Sequence, residues 1–276
     1  MFVGFNLKNL NVSDFEDYYE DGCNLFKKQK DEIKNNLRKY IYEENVLSGN
    51  LIEQEWFPNV NADVFLSHSH IDDYLAVAFA GWLKKECNLT TFIDSHVWGY
   101  ANDLLKEIDN NYCVNRRDSN QNPISYSYSK RNVSSSHVHL MLEIALQKMI
   151  DKTECLMFLN TPNSINIEDN IEHLSTLSPW IYSELFFSKM VRHKKLKEYR
   201  KKAKSPRFMT ESAGDSIVQV QYEVDLQHLY DLTLNDLKKW RNEIRFVENM
   251  GEEEISLLDI LYIQKKLIEA RRTYGV

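Results

Sequence analysis

The chain of 276 residues has no long apolar run, and no stretch approaches the roughly 20 apolar residues of a membrane-spanning helix. It has no basic segment followed by an apolar one at its start, so no secretory leader is read there. It has no excess of basic charge. The formal net charge is -7, which argues against a general nucleic-acid binder and against nucleic acid as a partner. Cysteine is sparse: Cys23, Cys87, Cys113 and Cys155 are widely spaced and form no C-x-x-C pair, so they read as free thiols of a reducing cytoplasm. No recognised ligand spacing links His68 and His70 to His96, His137 or His139, so no metal site is expected. No G-x-G-x-x-G follows a strand, which removes the usual cradle of a resident redox dinucleotide. No internal repeat is visible.

What is present is a chain with 43% hydrophobic residues, enough to bury a core. Its organising stretch runs from Asp63 to His70. Val64, Phe65 and Leu66 are too few for a helix and apolar enough for a strand buried on both faces. They give way to Ser67, His68, Ser69 and His70. Asp72 or Asp73 then caps a helix whose Leu75, Ala78, Phe79 and Trp82 share one face. Strand, polar loop and helix together form the unit that places ligand-binding groups at the carboxyl end of a parallel sheet.

The remaining elements are read in chain order. Residues 1–59 read as a helical N-terminal extension, with one or two amphipathic helices between Asp14 and Tyr42. Trp56 and Phe57 pin that extension to the core. Leu89–Ile93 is expected as a second strand. It hands over to a polar and aromatic loop, Asp94–Tyr100, before a short helix. Residues 110–134 read as a long surface loop, and a helix capped by Ser134 or Ser135 follows. Cys155–Leu159 is expected as a third buried strand, and 163–177 as a further loop. Ser178 as N-cap with Pro179 at the first helical position starts the next helix, on which Trp180 and Glu184 share a face.

The basic run from His193 to Arg207 is either a solvated helix extension or a patch for an anionic partner. Ile217–Leu226 alternates like a strand, and helices are expected over Leu229–Phe246 and residues 252–272. Trp82 and Trp240 are assigned to the core. Alternating strands and helices predict an α/β fold, a parallel sheet wound on both faces.

Several of these motifs resemble TIR (Toll/interleukin-1 receptor) domains. Asp63–Asp72 is similar to their first strand and following loop. Phe92-Ile93-Asp94 with Trp98-Gly99-Tyr100 is similar to their second strand and BB loop. Ser178–Leu185 is similar to their S-x-W-x-x-x-E-L helix. The likeness covers about residues 60–192 and weakens towards 245. Residues 60–276 are therefore expected to form the TIR-like domain, with inserts at about 110–134 and 163–177. The resemblance implies a flavodoxin-like sheet with helices on both faces. It also implies cleavage of NAD+ between nicotinamide and ribose, in the manner of bacterial relatives of antiphage defence. Some of those relatives release ADP-ribose; others cyclise it into a signal for a downstream effector protein. Homo-oligomers formed through TIR–TIR contacts are implied too.

By the resemblance, Glu184 is the catalytic carboxylate; read alone, it is also a helix-start carboxylate favoured by the dipole. A single carboxylate suits this chemistry. The transition state carries positive charge on the sugar, and nicotinamide leaves as a neutral molecule, so no strong acid is needed. Trp98, Tyr100 and Trp180 can stack on nicotinamide or shape a pocket, and Trp98 is equally placed for an oligomer contact. Ser67, His68 and Ser69 can bond phosphates or the carboxamide, although His68 also reads as a structural histidine. Asp94 either grips ribose or caps the next helix. NAD+ would be a consumed substrate, with no bound cofactor. The rival readings are a non-catalytic TIR adaptor and a deoxyribosyltransferase-like N-glycosidic enzyme.

Overall fold

The computed structural model describes residues 1–30, 41–43, 46–57, 60–93, 95–166, 174–200, 222–250 and 256–268. Its strands are β1 (Val3–Lys8), β2 (Ile41–Glu43), β3 (Val46–Leu47), β4 (Val64–Ser67), β5 (Thr91–Ile93), β6 (Val114–Arg117), β7 (Pro123–Tyr126), β8 (Cys155–Asn160), β9 (Ser175–Thr176), β10 (Tyr222–Glu223) and β11 (Tyr230–Thr233). Its helices are α1 (Tyr19–Lys30), α2 (Gly49–Trp56), α3 (Asp73–Cys87), α4 (Ser95–Ile108), α5 (Tyr128–Lys152), α6 (Pro179–Met190), α7 (Leu196–Tyr199), α8 (Leu234–Asn249) and α9 (Leu257–Gln264).

Five strands form an all-parallel sheet in the order β11-β1-β8-β4-β5. Helices cover both faces, so the fold is flavodoxin-like, as expected. Counted from β4, the strands β5, β4 and β8 stand in the flavodoxin order 2-1-3. The fourth place is taken by β1 and the fifth by β11.

Alternation along each strand separates two apolar layers. Val64 and Leu66 of β4 and Phe5 and Leu7 of β1 point to the layer under α1, α3, α8 and α9. Phe65 of β4 and Leu156 and Phe158 of β8 point to the layer under α2, α4, α5 and α6. Trp82 and Trp240 are buried in the first layer, where their rings meet edge to face at 6.1 Å. Trp56 and Phe57 are buried in the second and hold α2 there. All four cysteines are free thiols. Among the described residues no helix is long and apolar enough to cross a membrane.

Several expectations are corrected. The first 59 residues are not only a helical extension, because β1 lies inside the sheet between β11 and β8. Val3, Phe5 and Leu7 alternate with Gly4 and Asn6, a strand signal confined to the first turns of a charged segment. Of the helical stretch expected up to Tyr42, α1 ends at Lys30, residues 31–40 lie outside the described set, and Ile41–Glu43 pairs with Val46–Leu47 as a hairpin.

Residues 95–100 are not a loop but the first turns of α4, whose Ala101, Leu104 and Ile108 recur on one buried face. The 110–134 stretch is not one loop either. β6 and β7 form a hairpin whose turn is held by the Asp118 carboxylate, which accepts from the backbone N–H groups of Asn120 (2.9 Å) and Asn122 (2.7 Å). Helix α5 then begins at Tyr128, ahead of the serines expected to cap it. Ser134 donates to Asp109 at 2.7 Å, and Ser136 bonds back to the Asn132 carbonyl at 2.7 Å, which lets a serine-rich turn remain helical.

Of the strand expected at Ile217–Leu226, residues 217–221 lie outside the described set. Tyr222–Glu223 pairs antiparallel with β9, apart from the main sheet. The edge strand is instead Tyr230–Thr233, inside a stretch expected to be helical. Thr233 and Asp236 form a capping box, which starts α8 at Leu234.

In the described part of the basic run Lys194 and Arg200 are paired. Lys194 bonds Asp151 at 2.5 Å, and Arg192, just before the run, bonds Glu198 at 2.9 Å. Arg200 grips Glu154 with both terminal nitrogens, one contact at 2.9 Å, and also reaches Asp259 on α9. Lys201–Arg207 lie outside the described set. Glu154 precedes β8 and has only 8% of its side chain exposed. Arg200→Leu therefore leaves a buried carboxylate without its cation and is expected to cost about 3 kcal/mol in urea unfolding. The variant Arg200→Lys, which keeps the charge and loses the fork, should recover part of that.

Candidate functional site

A flavodoxin-like sheet binds ligands outside the carboxyl ends of its strands, where the strand order reverses. Here that point lies between β4 and β8, which are neighbours although the chain leaves them in opposite directions. Ser67 ends β4 directly beside Phe158 of β8. It is two residues past Phe65 and so faces the α5–α6 layer. Its side chain is fully buried, and its hydroxyl has no hydrogen-bond partner among the described residues. A buried hydroxyl left in this state calls for an explanation, and a ligand atom is one.

His68 is also buried, but it goes the other way. Its Nε2 lies 3.7 Å from Asp73 Oδ1 at the start of α3. The structure therefore separates His68 from Ser67, and a role at the first layer's helix start fits it as well as substrate contact does. Ser69 is half-buried and precedes a single helical turn, accepting from the Asp72 N–H at 2.8 Å. Asp72 in turn accepts from Thr161 Oγ1 at 2.5 Å and Asn163 Nδ2 at 2.8 Å. Those two bonds fasten the β4–α3 loop to the loop leaving β8, one loop on each side of the reversal.

Helix α6 starts as its sequence requires. Ser178 Oγ accepts from the Ile181 N–H at 3.2 Å, and Pro179 occupies the first helical position. Ile181, Glu184, Leu185 and Ser188 form its buried face, and Ile181 and Leu185 join the apolar layer that holds Phe65 and Phe158. Glu184 is thus turned towards the sheet with 2% of its surface exposed, on the same side as Ser67. A carboxylate kept at that depth is costly. Trp180, one turn earlier, is half-buried and meets the His139 ring edge to face at 6.0 Å. Between the two, Ser183 donates to Glu143 of α5, which also accepts from Gln147 at 2.6 Å. Helix α5 thus fixes the rotation of α6 about its axis.

The rim continues across the sheet on the same face. Asn160 at the end of β8 donates to Asn6 Oδ1 at 3.0 Å. Asn6 donates to Asp231 at 3.0 Å, and Lys8 donates to Asp231 at 2.7 Å. Asn6 is buried, so this row holds three strands in register at their carboxyl ends. Sequence reasoning missed Asn6, Lys8, Asn160 and Glu143. An asparagine alternating with Val3, Phe5 and Leu7 was the signal for the first of these. Asp94 lies outside the described residues. Trp98 and Tyr100 fall within α4, but their side chains are outside the description.

One turn past Glu184, Ser188 Oγ lies 2.8 Å from His228 Nε2, joining α6 to the segment before β11. Burial, the largest influence, holds the His228 imidazole below its ordinary value. Lys189 and His193 act in the same direction, and Asp225 opposes them. The unfolded ring takes its proton near pH 6.5 and the folded one at lower pH. The latch therefore contributes fully above about pH 6.5 and is lost as pH falls through the folded value. Urea unfolding followed over pH 7 to 5 should show a slope that flattens in His228→Gln.

The site therefore consists of a buried hydroxyl without a partner among the described residues, a deep carboxylate on the covering helix, an indole at the helix start and a polar rim. Compared with known proteins, the chain matches no family model, no curated protein and no solved structure.

Proposed function

We propose that the chain is a TIR-type enzyme that cleaves the bond between nicotinamide and ribose in NAD+, acting in the cytoplasm as a homo-oligomer in antiphage defence. The observation that supports this reading is the burial of Glu184 on the sheet-facing side of α6, one turn beyond Trp180 and over the face reached by Ser67. In this reading the glycosidic electron pair leaves with neutral nicotinamide while Glu184 offsets the positive charge that develops on the sugar. Water then adds at the anomeric carbon and gives up a proton, leaving ADP-ribose. In a cyclase, an adenine or ribose atom takes the place of water. Ser67 supplies a hydrogen bond to the bound dinucleotide, and Trp180 supplies a wall.

The test is to incubate the purified protein at high concentration with NAD+ and to follow nicotinamide by chromatography. Mass spectrometry of the other product separates hydrolysis from cyclisation. One observation favours a second reading, an adaptor acting by TIR–TIR contacts. Phe186 and Met190, one turn apart on the outer face of α6, are 52% and 66% exposed. Self-association without nicotinamide release, abolished by Met190→Glu, would support the adaptor.

A further inference from the structure

A cavity of about 430 Å³ opens between the end of α4, the turn that follows it and the first half of α5. Ile108, Tyr112, Cys113 and Val133 give it largely apolar walls. Its two ionisable nitrogen groups are Lys130 and His137, and none of the nine lining residues is acidic. Asp109, which follows the lining residue Ile108, is buried and already occupied, by Arg131 Nε at 2.7 Å and the Ser134 hydroxyl at 2.7 Å. Lys130 makes no ion pair among the described residues. Burial pushes the Cys113 thiol up, so Cys113 serves as wall and not as nucleophile.

This cavity is not the site described above. Lys130, Val133 and His137 follow one another at three and four residues and share one face of α5. His139 and Glu143, which meet α6, lie roughly 200° further round the helix at about 100° per residue. Val133 keeps 58% of its surface exposed although it stands at an apolar mouth. The volume is in the range of small-molecule pockets.

We propose that this cavity binds a small amphipathic anion, with an aryl or medium-chain acyl body between Ile108, Tyr112 and Val133 and a carboxylate or sulfonate head facing Lys130 and His137. The apolar walls select the body, and the Lys130 ammonium, which makes no ion pair among the described residues, selects the head. The proposal does not depend on NAD+ cleavage.

The full-length protein is titrated with anilinonaphthalene sulfonate, and octanoate is used as competitor. Saturable fluorescence at one site per chain, displaced by octanoate, is expected. Val133→Trp fills the cavity from an exposed position; it should weaken the probe at least tenfold with the melting temperature unchanged. Lys130→Gln should weaken the sulfonate about threefold to fivefold, the range of one exposed charge pair, and leave neutral phenylnaphthylamine unchanged. Absent binding, or saturable binding indifferent to Val133→Trp, overturns the site. Equal behaviour of the charged and neutral probes in Lys130→Gln overturns the anionic ligand. Neither variant touches Glu184, so a failure here leaves the proposed function standing, and the converse holds.

Discussion

Glu184→Gln should reduce nicotinamide release by about a hundredfold to a thousandfold, with the loss in kcat and little change in KM. The two side chains have nearly the same shape, so substrate binding that depends on packing is preserved. What disappears is a full negative charge placed where the sugar becomes positive, and removing one preorganised electrostatic partner of a transition state typically costs about 3–4 kcal/mol. Stability should change little, because Glu184 is 2% exposed and the amide fills the same buried space. This divergence separates catalysis from a structural role, in which activity and melting temperature would fall together. Turnover unchanged in Glu184→Gln, or a parent that releases no nicotinamide, would end the enzymatic proposal.

Gly81→Ala should lower the melting temperature by roughly 6–12 °C, the shift that about 3 kcal/mol of overpacking gives in a domain of this size. Helices α1 and α3 cross at their glycines. A Cβ on Gly81 would lie 2.1 Å from the Tyr18 carbonyl oxygen and 2.6 Å from the Gly22 nitrogen. A Cβ on Gly22 would lie 2.1 Å from the Val77 carbonyl oxygen. Both obstructions are backbone and cannot rotate away, so the helices must separate. That would loosen the adjoining stack in which Phe15 meets Phe79 at 5.1 Å and Trp82 at 5.8 Å. Gly49→Ala is the control: its Cβ would meet only the Met141 sulfur at 4.0 Å, and its melting temperature should stay within about 2 °C of the parent. Thermal melts of the three proteins check the contrast, and a Gly81→Ala protein as stable as Gly49→Ala would refute the tight crossing.

How much of the fold is legible in the sequence depends on whether an element carries its own punctuation. β4 and α3 are legible because an apolar triplet, a polar loop and a helical apolar face follow one another within a few residues. The start of α6 is legible because Ser178 and Pro179 specify it locally, and the structure places the expected cap bond there. β1 and β11 are not. Each is short, and each is a strand by virtue of partners far away: Leu7 lies opposite both Leu159 and Leu232. The hairpin at 114–126 fails for a different reason. Its first strand is polar, and the Ile124–Tyr126 alternation of its second lies on exposed side chains among serines and asparagines, so the stretch reads as loop. At the candidate site, the strand end at Ser67 and the helix start before Glu184 are legible locally, and the structure turns both side chains to one side of the sheet. His68 is chemically plausible and geometrically on the other layer. The Asn6–Asp231 bond, which spans 225 residues of sequence, leaves no local trace.

The interior position of β1 bears on how the sheet assembles. Its two partners are residues 155–160 and 230–233, so both of its edges depend on segments far along the sequence. β4, β5 and β8 can assemble first, and the N-terminal strand must then wait to be inserted. Loop closure over such separations is slow, and an open strand edge during that interval is a template for pairing with another chain. Aggregation during refolding should therefore be governed by how long the edges of β1 stay open.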